Sequence, residues 1–85
     1  MIPNDALWSY AEEFENKILD NLSDGATEPI IEEIAEMMAA ELGKTNQRKV
    51  MEKLETGMSL KVSEGELSQE AWDNIKAGLN TLLRL

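Results

Sequence analysis

Apolar side chains recur every third or fourth position along most of this chain, and helix caps and stops fall between the runs. That period is the signature of helices with one buried face, so it restricts the fold more than any other feature. Leu7, Tyr10, Ala11, Phe14, Ile18 and Leu22 predict a first helix over residues 5–22, capped by Asn4 or Asp5 and stopped by Ser23-Asp24-Gly25. Thr27 caps the second, in which Pro29 is tolerated because its missing amide hydrogen would be unpaired in the first turn. Ile30, Ile31, Ile34, Ala35, Met37, Met38 and Leu42 give that helix an apolar arc wide enough for two neighbours, which makes it the expected centre of the fold. Gly43 ends it.

Thr45 or Asn46 restarts the chain as a short third helix, with Val50, Met51 and Leu54 inward and Gly57 as a left-handed stop. Met58-Ser59-Leu60-Lys61-Val62 then alternates with period two and predicts an extended segment, although no second strand is available to pair with it. Ser68 caps the last helix, where Leu67 and Trp72 hold the two positions of a hydrophobic staple. Trp72, Ile75, Leu79, Leu82 and Leu83 form the cleanest apolar stripe in the chain. The expected fold is therefore all-α: a small compact bundle of about four helices, with one short extended segment between the third and fourth. Residues 1–85 are expected to form a single acidic helical domain, since a chain this short seldom divides.

The chain contains no cysteine and no histidine. Disulfides, thiolate and imidazole metal sites, a cysteine nucleophile and the commonest general base are thereby removed, and no metal or other cofactor is expected. Serines lack a histidine to activate them, and Tyr10 is expected to border the core rather than to act as an acid. The protein is read as non-enzymatic. No stretch approaches the ~18 apolar residues of a membrane span, and the amino terminus has no basic segment leading an apolar run. A cytoplasmic protein with no membrane partner is the expectation.

Two motifs imitate ligand sites. Gly43-Lys44-Thr45 is how a phosphate-binding P-loop ends, but the position of that loop's first glycine is Met38, inside a helix, and its surroundings are acidic. Asp20-Asn21-Leu22-Ser23-Asp24-Gly25 begins like a calcium loop, yet leucine and isoleucine (Leu22 and Ile31) stand where its third and twelfth ligands belong. A turn is the better account of both.

Charge carries the functional signal. The net charge is −9, divided as −10 over residues 1–43, +3 over 44–62 and −2 over 63–85. Glu28, Glu32 and Glu36 follow one another at i, i+4 with Glu33 alongside and no base on that helix, and Glu12 and Glu13 add to the same field. Like-charge pairs at this spacing oppose helix formation by about 0.2–0.5 kcal/mol each. The row is either a solvated face or a surface that imitates nucleic-acid phosphates and docks on a basic protein. The expected function is a protein-protein interaction module, a small acidic inhibitor or immunity-type accessory protein of a phage, plasmid or bacterium, whose partner is a basic surface of a nucleic-acid-binding protein.

Lys44, Arg48, Lys49 and Lys53 form a basic island in the acidic chain. Helix, Gly43-to-Thr45 turn and basic helix together resemble a helix-turn-helix, and Leu54-Glu55-Thr56-Gly57-Met58 is similar to the end of a winged-helix recognition element, over less than half of the chain. The resemblance implies an alternative function, a small DNA-binding regulator that uses residues 44–53. Against it, Gly43 to Gly57 is about one turn too short, no basic wing follows, and a −9 protein is repelled by DNA. Direct nucleic-acid binding is not the expectation. A third reading is self-association, in which residues 58–62 pair with those of a second copy and Lys49, Lys53 and Lys61 approach its acidic helices. Met37, Met38, Met51 and Met58 suit either an adaptable groove or a core filling, and core filling is preferred.

Overall fold

The computed structural model describes residues 2–22 and 27–85. They form α1 (Asn4–Leu22), α2 (Thr27–Glu41), α3 (Lys44–Ser63) and α4 (Gln69–Leu83), with no strand among the described residues. The all-α bundle of four helices is as the periodicity requires. The Asp20-to-Gly25 turn is described only as far as Leu22; Ser23, Asp24 and Gly25 lie outside the described residues.

Side-chain pairs set the helix directions. Tyr10 meets Glu41 and Lys17 meets Glu33, so α1 and α2 are antiparallel. Trp8 lies under Lys53 and Gly57 faces Glu15, so α3 runs parallel to α1. Lys44 reaches Leu83 and Glu55 reaches Lys76, so α4 is antiparallel to α3. The helices close a ring in the order α1, α2, α4, α3, and the broadest contacts are α1 on α3 and α2 on α4. The apolar arc of α2 does meet two neighbours, α1 and α4, but α2 is not central: in a ring each helix has two. One core fills the middle, with Phe14, Ile34, Met38, Val50, Leu54, Met58, Trp72 and Leu79 all without measurable exposure. Met51 is also buried and Met37 packs against the core, so the methionines fill the interior rather than line a groove.

Three helix starts differ from expectation. α1 starts one residue early because the Pro3 carbonyl accepts from the Ala6 and Leu7 amides, at 3.0 and 3.3 Å. α2 opens at Thr27 itself, and the residue before it lies outside the described residues. α3 is capped by Gly43, not by Thr45 or Asn46; with φ −75° and ψ 170° this glycine is in extended backbone that any residue adopts. Its carbonyl receives the Gln47 amide at 2.9 Å. The start of α4 is as expected: the Ser68 hydroxyl accepts from the Ala71 amide at 3.0 Å, and Leu67 and Trp72 are both buried.

The largest correction concerns Gly57 and residues 58–62. Gly57 does not stop α3, and Met58 to Val62 are not extended; the helix continues to Ser63. Met58 and Val62 are four apart and therefore share a helix face as readily as a strand face, and that face continues Val50 and Leu54 inward. Only Leu60 fits the strand pattern alone, and it is the residue left 58% exposed. A mid-helix glycine costs about 1 kcal/mol relative to alanine, which the complete burial of Met58 exceeds. The left-handed stop falls at Gly65, φ 81°, where the Gly65 amide bonds Val62 and the Glu66 amide bonds Lys61, both at 3.0 Å.

This difference can be measured. The atoms nearest to a methyl group at Gly57 would be those of the Glu15 carboxylate, the far end of a flexible side chain. Gly57→Ala is expected to raise unfolding stability by about 0.5–1 kcal/mol, read by urea titration. A glycine in a left-handed stop would give the opposite sign.

Candidate interaction surface

The acids of α2 divide between two sides of the helix. Glu33 turns toward α1, where its carboxylate sits 3.2 Å from the Lys17 ammonium. Glu41, on the same side, accepts the Tyr10 hydroxyl at 3.2 Å, and Glu13 lines the open depression beside that ring. Burial, the Glu41 hydrogen bond and the nearby charges of Glu41 and Glu13 together hold the Tyr10 phenol above its usual pKa, so it stays a neutral donor. Tyr10 borders the core as expected. Glu12 is exposed on α1 and does not line the clefts that Glu28, Glu32 and Glu36 border.

Glu28, Glu32 and Glu36 point the other way, along the edge that faces α4. All three are exposed, and none has a basic side chain within ion-pair distance among the described residues. Together with Glu28 and Glu32, Ile31, Ala77, Gly78, Thr81 and Leu82 line one cleft; Glu32, Ala35, Glu36, Ala39 and Leu82 line the next. Glu32 and Leu82 belong to both, so the clefts form one groove between α2 and α4. Small residues make this possible, since a methyl at Gly78 would stand 3.1 Å from a methyl of Ile31. Leu82, which its stripe assigns to the core, is instead 52% exposed here. Leu79 and Leu83 are one turn apart and take the core face; Leu82 lies some 60° to one side of Leu79 and falls on the groove.

The basic island is dispersed. The Lys44 ammonium donates to the Leu83 carbonyl at the end of α4, where the negative end of the helix dipole favours a cation. Lys53 lies over the Trp8 ring, 5.1 Å from its centroid. Arg48 and Lys49 are exposed and carry no ion pair among the described residues. Lys61 turns to its own chain, pairing with Glu66 at 3.2 Å and Glu64 at 3.7 Å, and the bond to Glu66 raises its pKa.

Two polar residues matter more than their sequence suggests. Glu55 accepts the Trp72 indole N–H at 2.7 Å and pairs with Lys76 at 3.3 Å, so a fully buried tryptophan keeps its donor satisfied. Gln47, 5% exposed, donates to the Leu42 carbonyl at 2.8 Å and thus serves the end of α2 from within α3. Neither Glu55 nor Gln47 is marked by the charge pattern or the apolar period, although Gln47 stands three residues before the inward Val50. Comparison with known protein families, characterised proteins and solved structures finds no match to this chain. No helix among the described residues is long and apolar enough to cross a membrane.

The unequal use of the basic residues leads to a direct test. Lys44→Met is expected to lower stability by about 0.5–1 kcal/mol through loss of the α4 terminal contact, whereas Lys49→Met should change it by less than about 0.5 kcal/mol. Chemical denaturation of both variants, at low and high salt, separates them.

Proposed function

We propose that this protein is a non-enzymatic interaction module of the small inhibitor or immunity type, which docks the Glu28, Glu32 and Glu36 edge of α2 on a basic surface of a nucleic-acid-binding protein. The observation that carries the proposal is the contrast among the α2 acids. Glu33 and Glu41 have intramolecular partners, while the three on the opposite edge are exposed, unpaired among the described residues and set four apart on one line. Mutual repulsion makes such a row unfavourable for the helix itself. A partner whose lysines and arginines face the row relieves that repulsion and is steered toward it from a distance.

The DNA-binding alternative draws less support, because Lys44 and Lys53 are engaged within the fold and leave Arg48 and Lys49 as the cations of the island with no partner among the described residues. Self-association through strand pairing at residues 58–62 loses its basis, since those backbone groups belong to α3.

Glu32→Gln together with Glu36→Gln is expected to leave the fold intact or slightly more stable. The association rate with a basic nucleic-acid-binding protein recovered from the native host should fall about tenfold, and the wild-type rate should fall as salt rises. Stopped-flow or surface-resonance kinetics read both. An association rate indifferent to both the double substitution and salt would reduce the row to a solvated face.

A further inference from the structure

We infer that the α2–α4 groove is the seat of a single amphipathic helix of the partner, with an apolar stripe and lysines or arginines along one flank of that stripe only. This rests on the proposed acidic docking edge and specifies what it binds. Three features of the groove combine to define the occupant.

The first is its floor. Ala35, Ala39, Ala77 and Gly78 keep the surface low, Ile31 lies partly buried against Gly78, and Leu82, half exposed, stands between the two clefts as the more exposed large apolar side chain. Small floor residues let a second backbone come close, and an exposed leucine there gains by being covered. The second is length. The lining of α2 runs from Glu28 to Ala39, which at the helical rise is about 16 Å, or three turns of a helix laid alongside. The third is the distribution of charge. The α2 wall carries Glu28, Glu32 and Glu36, whereas the α4 wall consists of Ala77, Gly78, Thr81 and Leu82.

An occupant complementary to this groove has apolar residues at i, i+3 or i+4, and i+7 against Leu82 and the small floor. Its bases repeat at the same three- or four-residue spacing on the side that meets α2, so that each stands opposite one glutamate. Bases on its other flank would meet the uncharged α4 wall and contribute little. A flat basic surface would satisfy the acids but leave Leu82 in water. A second copy of this chain is disfavoured as the occupant by its own charge of −9.

The test uses the full chain and three synthetic fifteen-residue helical peptides of identical composition, with leucines and lysines. One has its lysines on the flank that meets α2 when the helix lies parallel to it, one has them on the opposite flank, and one has the leucine stripe scrambled. The chemistry expected of the groove is tightest binding by one of the two single-flank peptides, at least about tenfold above the scrambled peptide, by fluorescence anisotropy. Leu82→Gln should remove about tenfold of that affinity. Ala77→Arg, on the exposed α4 wall, should also weaken it while leaving the circular dichroism spectrum and thermal midpoint unchanged. Glu32→Gln with Glu36→Gln should weaken all three peptides. If all three bind equally, and only the glutamate substitutions matter, the acidic edge stands but the groove is not a helix seat. If the glutamate substitutions have no effect either, both proposals fail. A doubling of mass by light scattering that Leu82→Gln abolishes would assign the groove to a second copy and overturn the partner-helix inference.

Discussion

The fold depends on α3 staying helical through Gly57. A twenty-residue helix spans the height of the bundle and meets both α1 and α4, and its inner face supplies Val50, Met51, Leu54 and Met58 to the core. Had the chain stopped at Gly57, Met58 would have had no defined place, and Lys61, Glu64 and Glu66 would not have formed their cluster at the helix end. The flexible end of Glu15 from α1 rests at the space left by the missing side chain, a position it can give up. Burial of one methionine therefore outweighs a local preference to break the helix.

Ring closure assigns the polar groups. Glu55 on α3 satisfies the Trp72 indole, which allows the largest side chain of α4 to be buried entirely, and Lys76 balances the carboxylate's charge. At the other end Lys44 meets the last carbonyls of α4 and Gln47 those of α2. Helix ends expose unpaired carbonyls; at the end of α4 the Arg84 and Leu85 amides fold back to bond Thr81 and Asn80, and the Lys44 ammonium from α3 serves Leu83 as well. These cations have partners within the fold, whereas the acids of the α4-facing edge of α2 have no basic partner among the described residues. The surface asymmetry proposed to carry function is thus a by-product of how the core is closed.

Parts of this were legible in the sequence. Helix period set the number and order of the elements, and the cap at Ser68 with its staple of Leu67 and Trp72 is a local device that depends on residues within four positions. The exposure of Glu28, Glu32, Glu33 and Glu36 followed from their placement opposite the apolar arc of α2. Residues 58–62 could not be assigned this way, because two buried residues four apart satisfy period two and period 3.6 alike.

What could be read from local pattern is therefore limited to four amphipathic helices, the approximate limits of all but the end of α3, the excess of acid on α2 and the absence of cysteine and histidine. Packing between helices fixed which of them touch, that Gly57 is passed and Gly65 is the stop, that Glu33 is paired while Glu32 has no basic partner among the described residues, and that Leu82 faces a groove. The reason is that propensity and period act over one or two turns. The fate of a glycine, a lysine or a leucine at the margin of an apolar stripe turns on what another helix, 16 to 39 residues away in the pairs Lys17–Glu33 and Lys44–Leu83, presents to it.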